Sequence, residues 1–230
     1  MKSKRFVCSM GSVALAILVL APLAQAGPPL LCWPFAIGDA KSLPWGGSGW
    51  HALDAGYDTA RLIEDTLALL TPQTPVLVRM ETLRRATIYA DSNPRLAQEL
   101  AAKLLERAQS AEAKGHADAL AWFDAGYLLQ TYRDTRELAR ERFVLSAEDG
   151  YTLVQKAIHL RGNDAEMEFA AAIIAANRSK GAGRDHVRRA LAGAREGSLL
   201  ARNLVSHALL INVRGTSLAE LRADVENTRN

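Results

Sequence analysis

Three features of the sequence predict an all-α fold. Apolar residues recur at three- and four-residue steps from about Leu53 onward, and Thr-Pro, Asn-Pro and Ser or Asp start signals punctuate those runs. Alternating Val/Ile/Thr stretches between hairpin turns are missing. The regular starts predict roughly eight helices stacked as hairpins, in the manner of an α-solenoid, behind an extended Pro/Trp-rich N-terminal strap.

The strap spans residues 27–52. It holds four of the eight prolines and three of the four tryptophans, with two charged residues. Repeated proline argues against a regular helix there, and Gly46-Gly47-Ser48-Gly49 reads as a turn. The segment is too apolar for a loose linker, so Trp33, Phe35, Trp45 and Trp50 are expected to dock on the domain that follows.

The helical domain is predicted over 53–211. Leu53, Tyr57, Ala60, Ile63, Leu67 and Leu70 form the first stripe. Thr74-Pro75 starts a second helix, with Val76, Met80, Leu83 and Thr87 inward, and Asn93-Pro94 starts a third with Leu96, Leu100, Leu104 and Ala108. Residues 117–131 are apolar nearly all round, which predicts a central buried helix. Arg133 to Arg142 reads as a solvated charged face, and Ser146 with Asp149 as a capping start for Tyr151, Val154 and Ile158. Gly162-Asn163-Asp164 is a turn and cap before a second buried helix from Met167 to Ile174. Further helices are expected around 184–195 and 198–210. Residues 212–230 are a polar tail, either a last short helix or frayed.

Residues 1–26 have the pattern of a secretory signal peptide. Lys2, Lys4 and Arg5 precede the apolar run Val7–Leu20, and Ala24 and Ala26 mark a cut before Gly27. The run is short of the roughly 18–20 residues that span a bilayer. Val7 and Leu31, ahead of the two cysteines, are poor neighbours for lipid attachment. A periplasmic or secreted protein, with no membrane span after cleavage, is the expectation. Cleavage would leave Cys32 as the single cysteine, so stability must come from packing and not from a disulfide framework. From Gly27 onward Lys+Arg and Asp+Glu balance at 25 each, which gives no global reason to seek nucleic acid.

No motif for chemistry stands out. The five histidines, at 51, 116, 159, 186 and 207, are never within four residues of one another, and no His-Glu-x-x-His or Cys-x-x-Cys occurs. No metal or cofactor is expected. The Gly-rich turn before Trp50 lacks a P-loop lysine, and no Gly-x-Ser-x-Gly elbow is present. Asp54 and Asp58 read as helix-start charges, and Glu166 and Glu168 are expected to point to different sides. A basic cluster of Arg178, Lys180, Arg184, Arg188, Arg189 and Arg195 is one candidate face for an acidic partner; Arg84 and Arg85 beside Tyr89 are another.

Trp122-x2-Ala125-Gly126-x2-Leu129 resembles the first helix of a tetratricopeptide repeat. Leu30 to Phe35, Ala40 to Trp45 and Arg79 to Ala86 together resemble a group of uncharacterised exported bacterial proteins, which implies no activity, cofactor or catalytic residue. Helical stacks present concave surfaces, so the expectation is a scaffold that binds a peptide or protein partner. An enzyme with a site assembled from separate helices, or a purely structural envelope protein, are the alternatives.

Overall fold

A computed structural model describes residues 28–135, 149–162, 164–178 and 183–228. The signal-peptide pattern, most of the charged stretch after Arg133, the Ser146 cap, Asn163 and Lys180 lie outside these residues.

Among the described residues all regular structure is helical. Ten α-helices occur: α1 (Pro29–Cys32), α2 (Leu62–Leu69), α3 (Val76–Ala90), α4 (Pro94–Ala113), α5 (Ala119–Asp134), α6 (Gly150–Arg161), α7 (Ala165–Arg178), α8 (Arg184–Gly193), α9 (Leu199–Ser206) and α10 (Leu218–Asn227). Most starts carry the caps that the sequence offers. Asn93 accepts from Leu96 N, Asp118 from Leu120 N and Ala121 N, Asp149 from Thr152 N, Ser198 from Ala201 N, and Ser217 from Glu220 N. Asp164 accepts from Glu166 N and Met167 N at the head of α7. Helix α3 begins after Pro75, which caps nothing; Glu166 of α7 accepts from Leu77 N at 3.1 Å instead. Helix order and packing are thus tied together by a side chain distant in sequence.

Two expectations need correction, and the alternative left open for the tail is decided. The first stripe does not begin a helix at Leu53. Asp54 accepts from Gly56 N and Asp58 from Ala60 N, and these local bonds hold 53–58 as a loop ahead of a 3-10 turn, Thr59–Arg61. The strap is not wholly extended, because Pro29 occupies the first turn of α1, where its missing N–H costs nothing. The tail is a helix: α10 buries Leu218, Leu221 and Val225, and Arg222 Nη2 donates to Leu191 O and Ala194 O at the end of α8.

One core runs from Leu30 to Val225. Helix α3 meets α1, α2, α4, α5 and α7, and α5, the helix expected to be central, meets α1, α3, α4, α6 and α7. Helices α5 and α6 approach backbone to backbone. A Cβ at Gly126 would stand 2.6 Å from Gly150 O, and one at Gly150 would stand 2.3 Å from Gly126 O, so both positions require glycine. Among the described residues no helix is long and apolar enough to cross a membrane.

Candidate functional site

Helix α3 carries charge into the core. Arg79, Glu81 and Arg84 are essentially inaccessible, although three charges on one helix would ordinarily mark a wet face. Each is met on the spot by polar partners. Arg79 Nη1 donates to Asp124 of α5 at 2.5 Å, Nε to Thr74 O at 2.9 Å, and Nη2 to Thr71 O. Burial outweighs the neighbouring guanidinium and pushes the Asp124 carboxyl up to about 7. Arg84 forms a two-pronged bond to Glu81, from Nε at 2.7 Å and Nη2 at 2.8 Å, and Arg85 Nε reaches the same carboxylate at 2.7 Å.

What remains of this polar row holds main chain. Arg84 Nη1 donates to Leu31 O at 2.9 Å and Trp50 O at 2.8 Å. Arg85 Nη1 donates to Leu43 O, and Tyr89 Oη donates to Pro44 O and accepts from Asp54 N. Glu81 Oε2 accepts from Phe35 N at 3.1 Å. From α9, Asn203 brackets Ala36, accepting from its N–H at 2.9 Å and donating to its carbonyl at 2.8 Å. This is a cradle for an extended peptide, and its occupant is residues 31–54 of the same chain. Arg84 is therefore inside the protein, not on a partner-facing surface. Tyr89 likewise spends its hydroxyl on this segment, and Arg85 divides its guanidinium between Leu43 O and Glu81.

The four aromatic residues of the segment fare differently. Phe35 is buried, stacked on His207 at 4.8 Å and edge-on to Phe169 at 6.2 Å. Burial holds the His207 ring below its ordinary pKa, so it stacks as the neutral form. Trp33 and Trp45 are half-buried; Trp45 lies under the Arg84 and Arg85 guanidinium groups, at 5.0 and 5.4 Å. Trp50 departs from the expectation that it docks: it is 46% exposed. Arg84 holds its carbonyl, which leaves the indole outward beside His51, with Leu53 37% exposed on the same loop. Cys32, next to Trp33, is half-buried.

The basic cluster is largely consumed by neighbours. Arg178 pairs with Asp149 at 2.8 Å, Arg188 with Asp185 at 2.6 Å, and Arg184 Nη1 donates to Thr228 O at 3.1 Å. Arg184 and Arg188 thus turn to different partners. Arg189 Nε donates to Glu168 Oε1 at 2.6 Å.

That last contact opens a second cluster, which the sequence did not disclose. Glu168, His186 and Arg189 line an open cavity of about 390 Å³ with Gln155, Ile158, His159 and Gly162. His186 Nδ1 stands 2.5 Å from Glu168 Oε2, and His186 Nε2 stands 2.8 Å from the Tyr151 hydroxyl. The contributors come from α6, α7 and α8, so only the His186–Arg189 spacing of one turn was visible in the sequence. Glu166 and Glu168 do diverge as expected, one to α3 and one to this cluster. Among the described residues no group of three or more His, Cys, Asp or Glu could hold a metal ion. Comparison of the chain with known protein families, with curated proteins and with solved structures finds no match.

Proposed function

We propose that the protein is an exported helical scaffold that binds a peptide or protein partner, and that the partner meets the loop over residues 44–57. The observation that carries this reading is the pair Trp50 and Leu53, exposed by 46% and 37% on a loop whose backbone is pinned to α3. An apolar pair on a fixed loop loses little conformational freedom on binding, and tryptophan is enriched at the centre of protein interfaces. The cradle beneath it supports a scaffold role, since its bonds to Leu31, Ala36, Leu43 and Pro44 are to main chain. Contact between α4 and α5 is in keeping with stacked hairpins. The leader pattern supports a periplasmic or secreted location.

The test is capture from the native cell envelope by chemical cross-linking to the full chain. A Trp50→Ala, Leu53→Ala double variant should lose the partner while its melting temperature stays close to that of the parent. Equal recovery by both proteins refutes the assignment. The Glu168–His186 pair in the wall of the cavity between α6, α7 and α8 favours a second reading, an enzyme whose site is assembled from separate helices.

A further inference from the structure

We propose that the cavity between α7, α8 and α10 binds a free aliphatic α-amino acid, with its carboxylate on Arg184 and its ammonium on Asp224. The cavity holds about 220 Å³, below the ~300–1,000 Å³ of pockets that take drug-sized ligands, so its occupant is small. Ala176 near the end of α7, Arg184 at the start of α8, the turn at 211–213 and Asp224 of α10 enclose it. None of its lining residues belongs to the α3 cradle, the Trp50 loop or the Glu168 cluster.

Two observations set the chemistry of the occupant. The first is an apolar floor: Val187, Ile211, Val213 and Val225 line the cavity and are all buried. The second is a pair of opposite charges nearer solvent, Arg184 and Asp224, both half-buried. The protein engages each of them only in part. Arg184 Nη1 donates to Thr228 O at 3.1 Å, which leaves its Nε and Nη2 hydrogens, and Asp224 Oδ2 accepts from Arg214 N at 3.2 Å, which leaves Oδ1. Arg178, Arg188 and Arg189 of the same basic cluster each find a carboxylate. Arg184 and Asp224 line one cavity, yet among the described residues neither forms an ion pair, with the other or with a third group.

Opposite charges that share a small cavity without meeting are satisfied together by a ligand that carries both. The guanidinium fork matches a carboxylate, and a carboxylate accepts from an ammonium. In an α-amino acid both charged groups leave the same carbon as the side chain. An aliphatic side chain therefore enters the valine floor while its two charges stay with Arg184 and Asp224. A ligand with one charge would leave one of these groups to water, and a charged side chain would meet no partner on the floor.

Isothermal titration calorimetry of the full chain with L-leucine tests the site, beside N-acetyl-leucine, which keeps only the carboxylate, and leucinamide, which keeps only the ammonium. L-leucine should bind saturably, and each analogue should bind ~10-fold or more weakly, the loss expected for one charge-assisted contact. Arg184→Gln and Asp224→Asn should each weaken L-leucine by a similar factor. Ala176→Leu, which fills the cavity and leaves both charges in place, should abolish binding. Circular dichroism separates a lost fold from a lost site in the variants, and the two analogues test the charges on the unaltered chain. No saturable heat with L-leucine, equal binding of either analogue, or undiminished binding by a folded Ala176→Leu chain each overturns the proposal.

Discussion

Replacing Arg84 with Met keeps the length of the side chain and removes a group that ties α3 to two separate points of the N-terminal segment, Leu31 and Trp50. Four hydrogen bonds disappear: two to Glu81, at 2.7 and 2.8 Å, and one each to Leu31 O and Trp50 O. Glu81 remains 1% exposed but keeps Arg85 Nε at 2.7 Å and Phe35 N at 3.1 Å, so its charge is weakened in support and not abandoned. Removing one partner of a buried ion pair costs about 3–5 kcal/mol. The surviving contacts place Arg84→Met at the lower end, ~3 kcal/mol, which is a large part of the 5–15 kcal/mol that holds a typical domain. Urea unfolding followed by far-ultraviolet circular dichroism measures the loss, and limited proteolysis reports whether Gly46 to Gly49 becomes accessible. The companion Glu81→Leu, Arg84→Met variant removes the stranded charge and should recover part of the deficit. A loss under ~1 kcal/mol for Arg84→Met, with unchanged protection of the loop, refutes the claim that this residue anchors the segment.

Three further outcomes follow from the same geometry. Gly126→Ala forces a methyl group to within 2.6 Å of Gly150 O, so calorimetry should show a loss of ~1–3 kcal/mol or more as α5 and α6 are pried apart. The folded-state pKa of Asp124 is raised from 3.8 to about 7. The folded chain therefore keeps a proton that the unfolded chain releases, and stability should fall as pH rises from about 4 to about 7; Asp124→Asn should flatten that slope in urea titrations across this range. Asn203→Ala removes both bonds to Ala36 and should lower the melting temperature at a cost of ~1–3 kcal/mol, because Ala36 loses its donor and acceptor partners together.

The helices were legible because their causes are local. Asn93, Asp118, Asp149 and Ser198 sit beside the runs they cap, and apolar spacing marked the faces of α4, α6 and α7. The role of α3 was hidden by its chemistry. Arg84 and Arg85 read as a candidate face for an acidic partner, yet Arg84 is dry, as are Arg79 and Glu81, because Asp124, 45 residues on from Arg79, and Leu31, 53 residues before Arg84, come back to meet them. Such returns leave no trace in periodicity. The Tyr151 cluster was hidden in the same way, since Tyr151 and His186 are 35 residues apart and Glu168 lies between them. Trp50 shows the converse. Its apolar side chain suggested burial, yet the structure anchors its carbonyl and leaves the ring outside.

The central claim is that polar side chains of α3 and α9 grip the main chain of the N-terminal segment. Hydrogen–deuterium exchange at the amides of Phe35 and Ala36 tests it most directly, because those N–H groups donate to Glu81 Oε2 and Asn203 Oδ1. Both amides lie outside a regular helix, so a merely draped segment would give them no protection. The account predicts exchange slowed to nearly the rate of global unfolding at both positions, with protection collapsing at Ala36 in Asn203→Ala and at Phe35 in Glu81→Gln. Exchange at both amides as fast as in an unstructured peptide, in a chain whose α3 amides remain protected, would contradict it.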